Sequence, residues 1–193
     1  MKKLSCYIAL PLFMTSLSIT TISAAEPYIG FSFGQASVDD FCDGIPFGVS
    51  CDDSDSAYKI FGGNKLNKNF AFEVSYIDFG QVVATDGFDT LTFESTGFNF
   101  SVLGLIPASN TVDFFGKVGL LFWDAKLAAS SGTLYRSRDD DGTDLNFGAG
   151  VNFNVSEQFS LRAEFQRFNN IGDETITGES AVTFLTAAGI LRF

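Results

Sequence analysis

The segment Asn146-Phe147-Gly148-Ala149-Gly150-Val151-Asn152-Phe153-Asn154-Val155 decides the fold. Its odd-numbered residues are Phe, Ala, Val, Phe and Val, and its even-numbered residues are Asn, Gly, Gly, Asn and Asn. Successive side chains of a strand point to opposite faces, so this is a strand with one apolar face and one small polar face. The same alternation recurs outward from it. Ile29, Phe31 and Phe33 oppose Gly30, Ser32 and Gly34, while Phe70, Phe72, Val74 and Tyr76 oppose Ala71, Glu73 and Ser75. Phe98, Phe100 and Val102 oppose Gly97, Asn99 and Ser101, and Leu161, Ala163 and Phe165 oppose Arg162, Glu164 and Gln166.

Read this way, the chain holds eight strands, over 27–36, 57–66, 70–79, 91–106, 112–125, 144–155, 159–168 and 180–193. Three connections are tight: Asn67-Lys68-Asn69, Pro107-Ala108-Ser109-Asn110 and Ser156-Glu157-Gln158. Four are longer and polar, at 37–56, 80–90, 126–143 and 169–179. Short turns at one end and long loops at the other fit an all-β, eight-stranded antiparallel up-and-down transmembrane β-barrel. A soluble barrel alternates too, but its exposed face should be rich in Lys, Glu and Thr. Here the polar face is mainly Gly, Ser and Asn, with isolated charges at Lys59, Glu73, Lys117, Arg162 and Glu164. Small residues suit a narrow interior, whereas the large rings on the other face suit lipid.

The first residues give an address. Lys2 and Lys3 precede an apolar run over residues 7–14, and small residues end in Ser23-Ala24-Ala25. This is the order of a secretory signal peptide with cleavage after Ala25, leaving residues 26–193 as the barrel domain. Cys6 lies too early to be a lipoprotein attachment site. No other segment is long and apolar enough for a spanning helix. The mature chain would carry 10 basic and 23 acidic residues, a net charge of −13. That argues against nucleic acid as a partner, since phosphate binding needs clustered Lys and Arg. Cys42 and Cys51 remain, an even count in an exported chain that suggests one disulfide, the alternative being two free thiols.

The chain closes with Ala187-Ala188-Gly189-Ile190-Leu191-Arg192-Phe193. The terminal Phe193, with Leu191 at the alternating position, resembles the signal by which the barrel-assembly machinery receives its clients. Residues 161–173, beginning Leu161-Arg162-Ala163-Glu164, resemble the penultimate strand and last loop of the outer-membrane protein A transmembrane domain family. Phe61-Gly62-Gly63 with Phe70–Tyr76 resembles that family's second and third strands, and Phe115–Trp123 its fifth. The resemblance implies a Gram-negative outer-membrane barrel, inserted with the help of periplasmic chaperones, monomeric, and surrounded by lipid and lipopolysaccharide. It also implies paired charges plugging the lumen, and Glu73 and Arg162 fall on the positions of one family pair. A second family pair falls on Leu103 and Asn152, which cannot form it. The peptidoglycan-binding domain that follows the barrel in many members is expected to be absent, so only the barrel is carried over.

Catalysis is not expected. The chain has no His, the base that outer-membrane barrel enzymes resemble one another in using, and no Ser/Lys or paired-carboxylate arrangement stands out. Arg138-Asp139-Asp140-Asp141-Gly142-Thr143-Asp144 offers oxygen donors around a Gly turn, as a hard cation requires. Aligned on an EF-hand glycine, however, Ser137 comes first and Gly148 last, so the bidentate Glu is absent and a solvated acidic turn is expected, with no metal and no cofactor. The first loop is similarly acidic through Asp39, Asp40, Asp43, Asp52, Asp53 and Asp55. These loops could bridge to lipopolysaccharide phosphates through divalent ions.

The interior charges are expected to neutralise one another, Glu73 with Arg162 and Lys117 with Glu164. The leading expectation is a structural and surface-interaction role, in envelope integrity or adhesion. The alternatives are a narrow passive, porin-like channel for ions or very small solutes, and a soluble secreted binding barrel. The membrane reading makes a direct prediction. The protein should require detergent for extraction and migrate differently on a gel before and after boiling, whereas a soluble barrel would stay in a detergent-free supernatant.

Overall fold

The computed structural model describes residues 26–44, 48–172 and 180–193. The expected leader, residues 1–25, lies outside them, as does part of the last loop, 173–179. Among the described residues, nine strands follow in chain order: β1 (Glu26–Val38), β2 (Ser50–Asp52), β3 (Ser54–Lys65), β4 (Phe70–Thr85), β5 (Asp89–Pro107), β6 (Val112–Ser131), β7 (Leu134–Asn154), β8 (Phe159–Ile171) and β9 (Ser180–Arg192). Leaving out β2, eight antiparallel strands form one ring, each beside its neighbour in sequence, closed where β9 pairs with β1. A closed sheet is one of only two ways to satisfy every backbone N–H and C=O within hydrocarbon.

Two of the expected long loops are strand instead. The segments 80–90 and 126–143 are extensions of the barrel wall, with β4 and β5 joined at 86–88 and β6 and β7 joined by Gly132-Thr133. Gly132 takes a φ of 57°, as such a tight connection needs. At 20 residues, β6 follows a path of about 65 Å, far more than the roughly 25 Å apolar band of an outer-membrane barrel. The short β2 is also additional. It pairs with β4 at Ser50↔Thr85, Cys51↔Ala84 and Asp52↔Val83, above an irregularity at Asp78/Gln81. The disulfide Cys42–Cys51 ties β2 back to the preceding turn.

The large rings point out. Phe31, Phe33, Phe70, Phe98, Phe114, Phe147, Phe153 and Phe165 are exposed on the outer face, while Ser32, Asn99, Ser101, Asn146, Asn152 and Gln166 are buried inside. From Phe114 to Phe122 the apolar outer face of β6 runs about 26 Å along the strand, which at the usual tilt of about 40° spans roughly 20 Å of height, most of a lipid belt. Its upper rim is the cross-strand row Tyr76↔Phe98↔Phe122, and one step higher the row becomes Asp78↔Thr96↔Asp124↔Asp141. That change from rings to carboxylates marks where hydrocarbon ends.

The interior is more apolar than the sequence suggests. Two buried clusters cap a polar middle. At the end with the longer hairpins are Ile77, Phe79, Phe93, Leu121, Trp123, Phe168 and Phe184, among others. At the end with the short turns are Tyr28, Phe61, Ala71, Leu103, Leu105, Phe115, Ala188 and Ile190. The expectation of a lumen filled by glycine, asparagine and ions is corrected accordingly. Interior glycines are the receptacles for these rings: a Cβ on Gly30 would lie 2.2 Å from Phe61 Cζ, and one on Gly63 would lie 2.3 Å from Tyr28 Cζ.

Gly150 tests that packing against both a backbone oxygen and a ring. A Cβ there would meet Ala163 O at 2.3 Å and Phe115 Cζ at 2.5 Å, whereas one on Gly116 meets nothing within 4 Å. Gly150→Ala should lower stability in a urea titration of the vesicle-inserted protein by about 1–3 kcal/mol. Gly116→Ala should stay within about 0.5 kcal/mol of the parent.

Candidate functional site

Five charged side chains converge at the centre of the barrel: Lys59 on β3, Glu73 on β4, Lys117 on β6, and Arg162 and Glu164 on β8. Each is 4 % exposed or less. They alternate with outward residues on their strands, so the pleat that sends Phe72 and Phe165 to lipid sends these inward. Lys117 Nζ donates to Glu73 Oε1 at 2.6 Å and to Glu164 Oε1 at 2.9 Å. Arg162 Nη1 donates to Glu73 Oε2 at 2.7 Å and lies 3.5 Å from Glu164 Oε2. Lys59 Nζ donates to Glu164 Oε1 at 2.8 Å.

Two separate pairs were expected; the structure instead joins all five groups in one cluster. Lys117 bridges both carboxylates, and Lys59, to which the sequence assigned no partner, binds Glu164. Cations outnumber carboxylates, three to two. Neighbours meet part of the remaining polar capacity, while Glu164 Oε2 is buried without a hydrogen-bond partner. Tyr28 Oη donates to Glu73 Oε2 at 3.2 Å, and Arg162 Nε donates to Asn152 Oδ1 at 2.8 Å. The guanidinium of Arg162 sits 5.1 Å from the Phe61 ring centroid and 4.7 Å from that of Phe115, and Lys59 Nζ sits 5.3 Å from that of Phe61. Cations over ring faces are attracted to the ring quadrupole, so the rings take up part of the excess positive charge. On the hairpin side, Gln166 donates to Asn146, Asn146 to Asn99 and Asn99 to Ser101, at 2.7 to 2.8 Å.

The positions matching the second family pair do other work. Leu103 is fully buried in the turn-end apolar cluster, and Asn152 orients Arg162. Leu191 and Phe193 are exposed, and Phe193 N donates to Pro27 O at 3.0 Å, laying the chain end along the barrel rim. Arg192, between them, hydrogen-bonds Asn154 and Ser160. The residues read as a calcium-like turn are strand residues instead, with Asp139 paired to Lys126 and Asp141 to Asp124. Among the described residues, no three His, Cys, Asp or Glu converge to hold a metal ion. Outside the belt, Asp86 caps the β4–β5 connection, accepting from Phe88 N at 2.8 Å and Asp89 N at 2.7 Å, and these donors hold its carboxyl below the usual range.

A closed eight-stranded antiparallel barrel, greasy outside and filled by a sealed charge cluster inside, defines an integral outer-membrane barrel protein. The chain belongs to the OmpA-like transmembrane domain family, which matches residues 23–193. Outer membrane protein A of Klebsiella pneumoniae is 27% identical over 132 residues, 67% of this chain and 38% of the relative. That of Shigella flexneri is 24% identical over 98% of this chain and 55% of its own length, so the chain spans about a third to a half of these relatives. Among solved structures, Ail, the attachment invasion locus protein of Yersinia pestis, has a TM-score of 0.59 at 20% identity, covering 88% of this chain and 99% of that one. Neisserial surface protein A has a TM-score of 0.61 at 16% identity, covering 89% and 98%. These two share the fold.

The cluster's charge count predicts an asymmetry between substitutions. Glu164→Gln leaves three buried cations against one carboxylate and should cost about 3–5 kcal/mol of stability. Lys59→Met removes the cation in excess and leaves a neutral set, so its cost should be far smaller, about 1 kcal/mol or less. Urea unfolding of both variants followed by tryptophan fluorescence checks the order.

Proposed function

We propose that this chain is a structural and surface-interaction protein, in which the barrel anchors rigid hairpins that serve envelope integrity or adhesion. The observation that carries this reading is the filling of the lumen at three successive levels: ring cluster, charge cluster, ring cluster. An interior closed in this way leaves the outside of the molecule as its working surface. By the usual geometry of such barrels, the short turns and chain ends face the periplasm and the long hairpins face the exterior. Residues 1–25 serve as the export signal and Phe193 with Leu191 as the assembly signal, and lipopolysaccharide surrounds the belt.

Ail of Yersinia pestis has been seen in complex with a heparin analogue, sucrose octasulfate, which is polyanionic. The long-hairpin end of this chain carries Asp39, Asp52, Asp86, Asp89, Asp139 and Asp141, which disfavours a polyanionic partner here.

The reading is tested by replacing Leu127–Arg138 with Asn-Gly, which rejoins the wall at the Lys126↔Asp139 pair. In a deletion strain, the trimmed protein should restore detergent resistance to the level of the full-length protein but lose adhesion. Full adhesion by the trimmed protein would contradict the role given to the hairpins. The channel alternative has its own readout: steady unitary currents in planar bilayers, abolished by Arg162→Ala, would replace this reading.

A further inference from the structure

The β4–β5 and β6–β7 turns stand side by side at the membrane-distal end of the wall, since Asp89 pairs with Ser131 and Ser131 with Leu134. Ser131 lies about 23 Å along β6 from Asp124, which is in the first row above the belt. At that distance from hydrocarbon the two turns display three large apolar side chains to water. Phe88 is 89 % exposed, Tyr135 61 % and Leu134 56 %. Apolar surface gathered at one place in water marks an interaction site.

Phe88 is also held rigidly. Each backbone N–H from Asp86 to Asp89 has an acceptor within the turn. Asp86 N donates to Asp89 O at 3.2 Å, and Gly87 N to Thr85 Oγ1 at 3.1 Å. Phe88 N and Asp89 N both donate to Asp86 Oδ1. Thr85 Oγ1 donates in turn to Asp89 O at 2.8 Å, and Gly87 takes the positive φ of 94° that the turn needs. A ring presented on a turn fixed in this way loses little freedom when it is captured, which is the property of a binding anchor. Aromatic side chains are the ones that interfaces favour.

The charge around the ring selects the partner. Asp86 and Asp89 flank Phe88, and with Arg136 beside the same recess they leave this crest net negative. The two N–H donors on Asp86 favour its ionised form. We infer that the paired hairpin tips are a docking knob, anchored by Phe88, for a partner protein that presents an apolar pocket rimmed by basic side chains. The pocket would take the ring while its rim meets the carboxylates. Those carboxylates argue against burial of the crest in a lipid bilayer, where an ionised group is costly. They also argue against a second copy of this chain, whose crest in the same membrane stands at the same height with the same charges. The inference rests on the surface reading above and gives it a partner chemistry.

The test uses the full chain in nanodiscs, with amino-β-cyclodextrin, an apolar cavity rimmed by ammonium groups, as the probe. Binding followed by amide NMR should shift Gly87, Phe88 and Asp89 and leave the belt residues unmoved. Phe88→Ser should weaken binding about tenfold or more. Asp86→Asn with Asp89→Asn keeps the acceptor of the turn, removes the charge, and should lower the affinity to that for neutral β-cyclodextrin. Heat-dependent gel mobility checks that these variants fold. In the deletion strain, Phe88→Ser should lower adhesion toward the level of the trimmed protein while detergent resistance is kept. Unchanged probe binding after Phe88→Ser, or equal affinity for the charged and neutral hosts, would overturn the inference. Binding of the crest to phosphatidylcholine vesicles would overturn it too, by making lipid the occupant. If trimming abolishes adhesion and Phe88→Ser does not, the surface reading stands and the knob falls.

Discussion

In hydrocarbon a peptide group has no partner but another peptide group, and the β9–β1 pairing that closes the ring is the contact on which the rest of this molecule depends. Closure at eight strands fixes a bore that side chains can fill. Filling that bore with Lys59, Lys117 and Arg162 forces Glu73 and Glu164 to be there too, because an unpaired charge at that depth is far costlier than a paired one. The two ring clusters then keep water from the paired charges at either end. The sequence of constraints runs from the backbone to the lumen and leaves the membrane-distal hairpins as the part free to vary.

The five-membered cluster is better understood as a device for specificity than for stability. Buried ion pairs recover about what their desolvation costs, so they add little net free energy, yet they penalise any arrangement that separates them. A one-residue slip between β3 and β4, or between β7 and β8, would turn the charges toward lipid and the rings inward. The register recorded by Gly63↔Glu73 and Asn152↔Arg162 is the one in which every member of the cluster finds its partners. The glycines opposite Phe61, Tyr28 and Phe115 enforce the same register sterically, since only a residue without a Cβ fits there.

Much of this was legible in the chain. The outward direction of Phe31, Phe98, Phe147 and Phe165 followed from alternation alone, because one face of each strand is uniformly apolar. The same signal failed above the belt. Tyr135-Arg136-Ser137-Arg138-Asp139 is polar on both faces, since both faces meet water there, so a period-two reading sees a loop where the structure has strand. The interior rings were missed because Phe61 and Phe115 occupy the inward parity expected to be polar. A signal was available: each lies across a strand pair from a glycine, as Phe61 does from Gly30 and Phe115 from Gly150. The partners of Lys59 were beyond reach for a different reason. Its carboxylate is on β8, across the lumen, a proximity set by ring closure and invisible to local pattern.

The cross-link between Cys42 and Cys51 joins residues nine apart, both in the connection between β1 and β3. It therefore ties no wall strand to another, and the barrel could close with or without it. What it fastens is β2, among the described residues a piece of the wall's upper rim that does not continue a membrane-crossing strand. Oxidation of this pair thus bears on how β2 is held against the exposed crown, and not on the pairing of the strands that cross the bilayer.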